Sequence, residues 1–226
     1  MIRTEDLRKV YRMGTVEVKA LDGLDIHIEK GEFVGIMGPS GSGKSTLLHM
    51  LGLLDVPTAG KVFIDGTDVG RLTDYQKTMF RLYKLGYVFQ DYALVPELTV
   101  MENVALPAML RTDRTEEETR AATVDILGKI GLCDRRGHLQ GELSGGQQQR
   151  VAIARAIVNK PDILFADEPC ANLDTENSRM VLNLFREINR ELKQTIVMVS
   201  HEDWHKEYFH RIIRLRDGKV VDGAGA

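Results

Sequence analysis

The stretch Gly38-Pro39-Ser40-Gly41-Ser42-Gly43-Lys44-Ser45 decides how this chain folds. It matches the phosphate-loop spacing G-x-x-x-x-G-K-S/T, in which glycines let several backbone N–H groups point inward at phosphate oxygens. The apolar run Phe33-Val34-Gly35-Ile36-Met37 before it has the length of a buried strand, and residues 46–54, beginning at Thr46, have the pattern of a helix. The positive end of that helix faces the same place. The stretch predicts a nucleotide site in which Lys44 reaches the β- and γ-phosphates and Ser45 offers its hydroxyl to Mg²⁺.

The bulk composition limits the kind of protein. The chain has 226 residues, enough for one large domain or two small ones, and its net charge of −3 gives no reason to expect a nucleic-acid surface. Two cysteines, Cys133 and Cys170, do not indicate a disulfide framework, so a reducing cytosol is the simplest location. The start of the chain has no apolar signal segment, and no apolar run approaches the ~20 residues of a membrane-spanning helix. Any membrane part is therefore expected to come from another chain.

Residues 2–31 alternate between apolar and polar side chains, as half-buried antiparallel strands do. One face carries Val16 and Val18. Leu24, Ile26 and Ile28 share a second apolar face. The same alternation continues later in the chain at Val62 and Ile64. These segments flank the phosphate loop, so we expect a small antiparallel sheet over one side of the nucleotide. Tyr11, at the end of the first strand, either stacks its ring on an adenine base or is an ordinary strand residue.

A helical insertion is expected in the middle of the chain. The short strand candidate Gly86-Tyr87-Val88-Phe89 ends at Gln90, and from about residue 92 to residue 141 the pattern changes to helices. Thr115 and Glu118 have the spacing of a capping box. Three apolar residues follow at helical spacing: Val124, Leu127 and Ile130. Because strands resume afterwards, we interpret this part as an insertion and not as an independent domain.

A second glycine-rich stretch, Leu143-Ser144-Gly145-Gly146-Gln147, begins another helix. Ser144 and Gln147 again fit a capping box, and residues 150–158 continue the helix until Pro161. Each glycine in the first turn weakens a helix by about 1 kcal/mol relative to alanine, so we expect something to need close approach to this backbone. Exposed N–H groups and a serine hydroxyl at a helix start suit a phosphate; a flexible junction is the alternative.

Two acidic residues end a buried strand. Ile163-Leu164-Phe165-Ala166 is a continuous apolar run, and Asp167 and Glu168 stand at its carboxyl end, where open α/β sheets bind ligands. We expect Asp167 near Mg²⁺, directly or through water, and Glu168 in place to polarise an attacking water, although adjacent acids also occur in solvated turns. The next buried strand, residues 195–199, is followed by His201, which either contacts a γ-phosphate or is structural.

The rest of the sequence supplies core and a closing hairpin. A helix from about residue 176 to residue 192 is predicted to bury one apolar stripe: Met180, Leu184, Ile188 and Leu192, with Val181 and Phe185 beside it. Residues 211–215, the turn Asp217-Gly218 and the pair Val220-Val221 predict a hairpin. The last residues, 223–226, are expected to fray.

Taken in order, these motifs resemble the ATP-binding cassette of ABC transporters over nearly the whole chain. Residues 143–147 are similar to the family signature LSGGQ, its most diagnostic element. Tyr11 falls where the family has an aromatic residue that stacks on adenine, Gln90 where it has a glutamine that senses Mg²⁺, and His201 where it has the switch histidine. The resemblance implies an α/β fold with a phosphate-loop NTPase core, a mainly parallel sheet, an antiparallel β-subdomain and an inserted helical subdomain. It implies one cassette domain over residues 1–226, with the core and β-subdomain at about 1–91 and 155–226 and the helices at about 92–154.

The resemblance also implies how such a chain works. ATP would be bound by the phosphate loop with Thr46, Tyr11 and Gln90, and Mg²⁺ by Ser45, Gln90 and Asp167. A second copy, packed head to tail, would press its residues 144–147 onto the γ-phosphate, so that ATP holds the pair together. Hydrolysis, supported by Lys44, by Glu168 as base and by His201, would let the pair separate. Residues 90–103, from Gln90 to Asn103, would receive a helix of a membrane permease at the inner face of the cell membrane, and no nucleic acid is expected.

Within the family, residues 31–37, 54–60 and 99–107 are most similar to the ATPases of lipoprotein-releasing and macrolide-efflux systems, and the cell-division relative begins similarly. Cys170 and Asn172 depart from the family's usual Glu-Pro-Thr-Gly/Ser-Ala-Leu-Asp sequence and put the geometry of that loop in question. Three other interpretations are a soluble ABC protein acting on ribosomes or DNA, a phosphate-loop kinase or GTPase, and a subunit without hydrolysis. The charge balance and the single cassette argue against the soluble ABC protein. The LSGGQ stretch has no role in a kinase or GTPase, and the intact Glu168 argues against a subunit without hydrolysis.

Overall fold

The computed structural model describes residues 1–222, without the side chains of Met13 and Asp222; the predicted fraying of residues 223–226 lies outside this range. The strands are β1 Ile2–Met13, β2 Val16–Leu24, β3 His27–Ile28, β4 Phe33–Met37, β5 Ala59–Ile64, β6 Thr67–Asp68, β7 Leu85–Val88, β8 Ile163–Asp167, β9 Thr195–Ser200, β10 Arg211–Arg216 and β11 Lys219–Asp222. The helices are α1 Lys44–Leu51, α2 Asp74–Lys84, α3 Val100–Met109, α4 Glu116–Lys129, α5 Gly145–Ile157 and α6 Thr175–Leu192.

A mainly parallel sheet forms the centre, in the order β11-β10-β4-β9-β8-β7. Its pairs are parallel except for the β10–β11 hairpin, which confirms the closing hairpin predicted from the sequence. In the register, Met37 lies opposite Ser200, and Asp167 lies opposite Val199. The carboxyl ends of β4, β8 and β9 therefore meet at one edge, so the phosphate loop, the two acids and His201 are brought together by the sheet itself.

Both faces of this sheet are buried, as continuous apolar strands require. Alternate side chains of β4, β8 and β9 enter two separate cores. One core holds Phe33, Leu164 and Met198 together with apolar residues of α5 and α6. The other holds Val34, Phe165 and Val197 together with α1 and the first strands.

A second sheet is antiparallel, with the order β2-β1-β5-β6 and with β3 paired to β1. The predicted apolar face is confirmed, because five residues are almost fully buried: Leu24, Ile26, Ile28, Val62 and Ile64. Val16 and Val18, on the other hand, are both exposed. This sheet packs its apolar face into the same core as α1.

Helices α3, α4 and α5 occupy the predicted insertion between β7 and β8. α4 and α5 both begin with the predicted capping boxes. The hydroxyls of Thr115 and Ser144 accept from the N–H groups of Glu118 and Gln147, whose side-chain oxygens accept in return from the N–H groups of the capping residues. α5 runs on to Ile157, across the boundary expected near residue 154. The division of the chain into subdomains stays a prediction.

Three details differ from the sequence predictions. The buried stripe of α6 runs through Val181, Phe185 and Ile188, whereas Met180 is 43% exposed, so the inward face is rotated by about one residue. On α4, Val124 is exposed and Thr123 takes the inner position. α1 covers residues 44–51 instead of 46–54, because it starts inside the phosphate loop and the chain turns after Gly52.

The surface helix α2 has no counterpart in the sequence predictions, although Thr73 and Gln76 form a capping box at its start. It is amphipathic, but none of its residues is fully buried. Within residues 1–222, no helix combines the length and apolar character needed to cross a membrane.

Candidate active site

The phosphate loop joins β4 to α1 and can only be built with glycine at its tightest points. Gly43 has φ +99°, and a Cβ at this residue would lie 2.3 Å from the carbonyl oxygen of Ala20. At Gly38 a Cβ would lie 2.2 Å from the carbonyl oxygen of Leu215. The loop therefore packs between β2 and β10. The side of its backbone that points away from these strands is open.

Lys44 lies in the first turn of α1 and is folded across the loop. Its Nζ donates hydrogen bonds to the carbonyl oxygens of Gly38 and Pro39, both at 2.9 Å, and the residue is only 6% exposed. A buried ammonium group that is held by carbonyl oxygens alone is a strong point charge for an anion at the loop mouth.

Ser45 and Asp167 bring two hard oxygen donors together. The Ser45 hydroxyl donates to Asp167 Oδ1 at 2.9 Å, although the residues are 122 positions apart in sequence. Burial raises the pKa of Asp167 above its ordinary value. His49, which sequence reasoning missed, places its Nε2 3.7 Å from Asp167 Oδ2, because it lies one helical turn after Ser45.

Glu168 and His201 are in direct contact across the ends of β8 and β9. His201 Nδ1 lies 3.1 Å from Glu168 Oε2. Since a carboxylate accepts only, Nδ1 is the donor in this pair. Glu168 also has φ +44°, a conformation that a residue with a side chain adopts only under the constraint of its surroundings. The strain and the contact together hold this carboxylate in one orientation.

A cavity of about 850 Å³ opens over these groups. Most of the phosphate loop lines it, together with Thr46, Glu168 and His201, whereas Ser42, Gln90 and Asp167 are not in the lining formed by the described residues. Further lining residues come from β2 and from the chain after His201, and sequence reasoning did not assign them: Val18, Lys19, Ala20, Asp203, Lys206 and Arg214. The antiparallel sheet therefore does cover one side of the cavity, through β2.

Tyr11 stands outside this lining and has partners of its own. Its hydroxyl donates to Asp55 Oδ2 at 2.9 Å, and the Lys9 ammonium group lies 4.9 Å from the ring centroid. The residue is 36% exposed. Tyr11 pairs in the β1–β2 register with Val18, which lines the cavity, and adenine stacking by Tyr11 stays a prediction.

The glycine-rich start of α5 is at the surface. Ser144 is exposed, and its Oγ accepts from the Gln147 N–H at 3.3 Å. As far as residues 1–222 are concerned, none of positions 144–147 lines the cavity around the phosphate loop. Gly146 has a packing reason of its own, because a Cβ there would lie 2.3 Å from Asn177 Oδ1. Within one chain, this tip and the phosphate loop are therefore separate.

The comparison with known proteins identifies the chain. A sequence profile of the family described as ABC transporter matches residues 21–171, which is more than half of the chain. This chain belongs to the ABC transporter family. The cassette has the predicted fold class, and the family is one of ATP-binding ATPases, so ATP binding and hydrolysis are its activity.

Two proteins of similar sequence and one solved structure show which members of the family this chain resembles. The lipoprotein-releasing system ATP-binding protein LolD of Aquifex aeolicus is 47% identical over 221 residues, which are 98% of this chain and 96% of that protein. The macrolide export ATP-binding/permease protein MacB of Bdellovibrio bacteriovorus is 42% identical over 97% of this chain, which spans 33% of that protein. The solved dimer of the ATP-binding cassette MJ0796, in a post-hydrolysis state with ADP and Pi, has a TM-score of 0.91 and 42% identity, covering 99% of this chain and 97% of that one.

The loop after Glu168 carries the two departures from the usual cassette sequence. Cys170 is buried, with its Sγ 3.9 Å from the Ser178 carbonyl oxygen, and burial raises the pKa of its thiol to about 12. Asn172 donates from Nδ2 to the carbonyl oxygen of Gln90 at 3.3 Å. Cys170 thus acts as a small apolar residue. Asn172 connects this loop to the segment that begins at Gln90, residues 90–95, which we call the glutamine loop.

A buried histidine that the sequence reasoning missed supports the chain around His201. His205 Nδ1 lies 2.7 Å from Ser200 Oγ, which also accepts the Glu202 N–H at 3.2 Å. Burial lowers the pKa of His205 to about 4, so it is neutral at neutral pH. These bonds fix the chain on both sides of His201.

Proposed function

We propose that the cassette is the ATP-hydrolysing subunit of an ABC transporter, that it pairs head to tail with a second copy around two ATP molecules, and that it drives a separate membrane permease of the lipoprotein-release or macrolide-efflux type. One observation carries the proposal: the α5 tip, a helix start of the kind that suits a phosphate, has its Ser144 exposed and lies apart from the chain's own phosphate cavity. A twin chain in the opposite orientation supplies it.

Each half-site holds ATP through the phosphate loop. Backbone N–H groups of residues 40–46 and the Lys44 ammonium group face the phosphates, and Lys44 exchanges its two carbonyl partners for phosphate oxygens. Tyr11 stacks on the adenine after it turns from Asp55. Gln90, two residues after β7, senses Mg²⁺ and links the site to the helical part.

The donor set beside the loop fits Mg²⁺. Ser45 Oγ and Asp167 Oδ1 are a hydroxyl and a carboxylate 2.9 Å apart, and Mg²⁺ in nucleotide sites takes one or two protein oxygens together with phosphates and water. A cluster of three acidic or soft ligands is absent among the described residues, as expected when the nucleotide supplies the rest. Ser45, Gln90 and Asp167 would hold the ion, directly or through water. When bound, it neutralises charge on the phosphates.

Glu168 is the base and His201 its positioning partner. The carboxylate lines the cavity beside the phosphate loop, where it accepts a proton from the attacking water. His201 holds Glu168 by the 3.1 Å contact and lines the same cavity, so it also faces the γ-phosphate. The partner's Ser144, with the N–H groups of its residues 145–147, stabilises the phosphate from the opposite side.

The permease docks on residues 90–103, from Gln90 to Asn103. This segment begins at Gln90 and ends in α3. Asn103 of α3 is buried, and its Nδ2 donates to the Val95 carbonyl oxygen at 3.0 Å. The segment can therefore transmit a movement of the glutamine loop to a partner. The relatives named for lipoprotein release and for export with a permease support a permease as the partner. In this proposal the cassette is cytoplasmic and is held at the inner face of the membrane by the permease.

Replacing Ser144 with arginine tests the shared site. We expect ATP turnover to fall at least tenfold, because the bulky side chain blocks the approach of the tip to the partner's γ-phosphate, while ATP affinity of the single chain stays within about threefold. The measurements are steady-state phosphate release and equilibrium ATP binding. Thr115→Arg is the matched control, since it removes the same kind of helix cap, which costs about 1 kcal/mol, on a helix away from the tip. Equal activity of the two variants would contradict the proposal.

A further inference from the structure

The backbone that follows Gln90 is strained. Tyr92 and Ala93 are consecutive non-glycine residues with φ +58° and +50°. The left-handed region is disfavoured for residues with a Cβ, and it persists where neighbouring groups hold it. The question is therefore which group holds this pair, and what that group connects it to.

Arg155, on α5, is the group that holds the pair. Its Nη1 donates to the Ala93 carbonyl oxygen at 2.6 Å, and its Nη2 donates to the Tyr92 carbonyl oxygen at 2.8 Å. Burial lowers the pKa of this guanidinium group, and within the described chain no carboxylate lies at ion-pair distance from it. The planar fork of donors on Arg155 matches the two successive carbonyl groups.

The same loop also reaches the tip of α5 and the loop after Glu168. A Cβ on Gly145 would lie 3.1 Å from the Tyr92 hydroxyl. Tyr92 therefore touches the first turn of α5 with its side chain, while its carbonyl group is held by Arg155 ten residues further along, about 15 Å down the helix. Asn172 binds the Gln90 carbonyl oxygen from the other side. The glutamine loop is therefore attached to α5 at two positions, at the first turn of the helix through Tyr92 and further along the helix through Arg155.

We infer that Arg155 is a positioning residue that makes the glutamine loop and the signature tip of α5 move as one unit. A shift of Gln90 at the γ-phosphate then displaces α5, which presents residues 144–147 to the twin chain. The inference rests on the proposed function, because the displacement has a consequence only if the tip serves a second chain. The attachment itself belongs to the single chain.

Hydrogen exchange on the single chain without ATP tests the attachment. In Arg155→Met, which keeps the length of the stem and loses every donor, we expect amides 91–95 to exchange at least fivefold faster than in the wild-type protein. Arg155→Lys, with one ammonium group, is expected to fall between them. Arg114→Met is the matched control: this arginine also bonds α5's carboxyl end, at the Val158 carbonyl oxygen and Asn159 Oδ1, but lies away from Gln90. Unchanged exchange at 91–95 in Arg155→Met would overturn the inference.

Kinetics and pairing test the coupling. We expect Arg155→Met to lower kcat at least tenfold with KM for ATP changed less than threefold, and to weaken the ATP-dependent pairing of a Glu168→Gln background at least tenfold. A variant with loosened amides 91–95 but normal kcat and pairing would refute the coupling. If Arg155→Met does not fold, Arg155→Lys decides by the same readouts. If Glu168→Gln alone fails to pair, the proposed function is contradicted, and the exchange result still accepts or rejects the attachment.

Discussion

Replacing Glu168 with glutamine is expected to lower the rate of ATP hydrolysis by about 100- to 10,000-fold, the usual contribution of a general base. Glutamine has the same shape and still accepts the bond from His201, which lies 3.1 Å from the carboxylate, but it cannot take a proton from water. ATP affinity should stay within about threefold, because the carboxylate does not hold the phosphates. Single-turnover phosphate release at saturating ATP measures the effect.

Glu202→Gln is the matched control for Glu168. Its carboxylate lies 3.3 Å from the other nitrogen of His201, but it is not part of the cavity lining in the described residues. We expect this variant to keep its rate within about threefold. If both variants were equally impaired, the charge near His201 would matter more than the position of the base, and the role of Glu168 would be refuted.

Replacing Lys44 with alanine is expected to weaken ATP binding by at least 100-fold. Hydrogen bonds to charged groups contribute about 1.5–3 kcal/mol each, and loss of two such bonds to phosphate oxygens corresponds to a factor of this size or more. The structure gives the reason for two bonds, since Nζ already donates to two carbonyl oxygens of the loop. Calorimetric titration of the variant with ATP and Mg²⁺ gives the affinity.

Two controls separate a binding effect from a folding effect in Lys44→Ala. Lys129→Ala removes an exposed lysine on α4 that is paired only with Asp125, and it should bind ATP normally. Thermal unfolding without nucleotide should show a shift of only a few degrees in Lys44→Ala, because losing the two bonds of Lys44 also removes the cost of burying its ammonium group. Unchanged ATP affinity in a folded Lys44→Ala protein would contradict the assignment of the loop.

The parts of the fold that depend on local sequence could be predicted. The phosphate loop needs glycines at fixed positions, the capping boxes at Thr115 and Ser144 need only four residues each, and the strands of the parallel sheet are continuous apolar runs. Since the carboxyl ends of such strands meet at one edge, the sequence also predicts that Asp167, Glu168 and the phosphate loop lie close together. The Ser45–Asp167 contact agrees with this.

The parts that depend on contacts between distant residues could not be predicted. Nothing near Arg155 in the sequence indicates that it bonds carbonyl groups more than 60 residues earlier, at Tyr92 and Ala93. Lys19 and Arg214 line the cavity because of how β2 and β10 pack, which periodicity does not reveal. The rotation of α6, which leaves Met180 exposed, follows from its packing against the core that holds Phe33 and not from its own apolar spacing.

Sedimentation of the Glu168→Gln protein with and without ATP tests the central claim most directly, namely that two chains complete each ATP site. We expect a species of 25.4 kDa without nucleotide and a species of twice that mass at saturating ATP, where the blocked base keeps the nucleotide intact. Adding Ser144→Arg to the same protein should prevent the change in mass. A Glu168→Gln protein that binds ATP and remains at 25.4 kDa at every concentration would contradict the account.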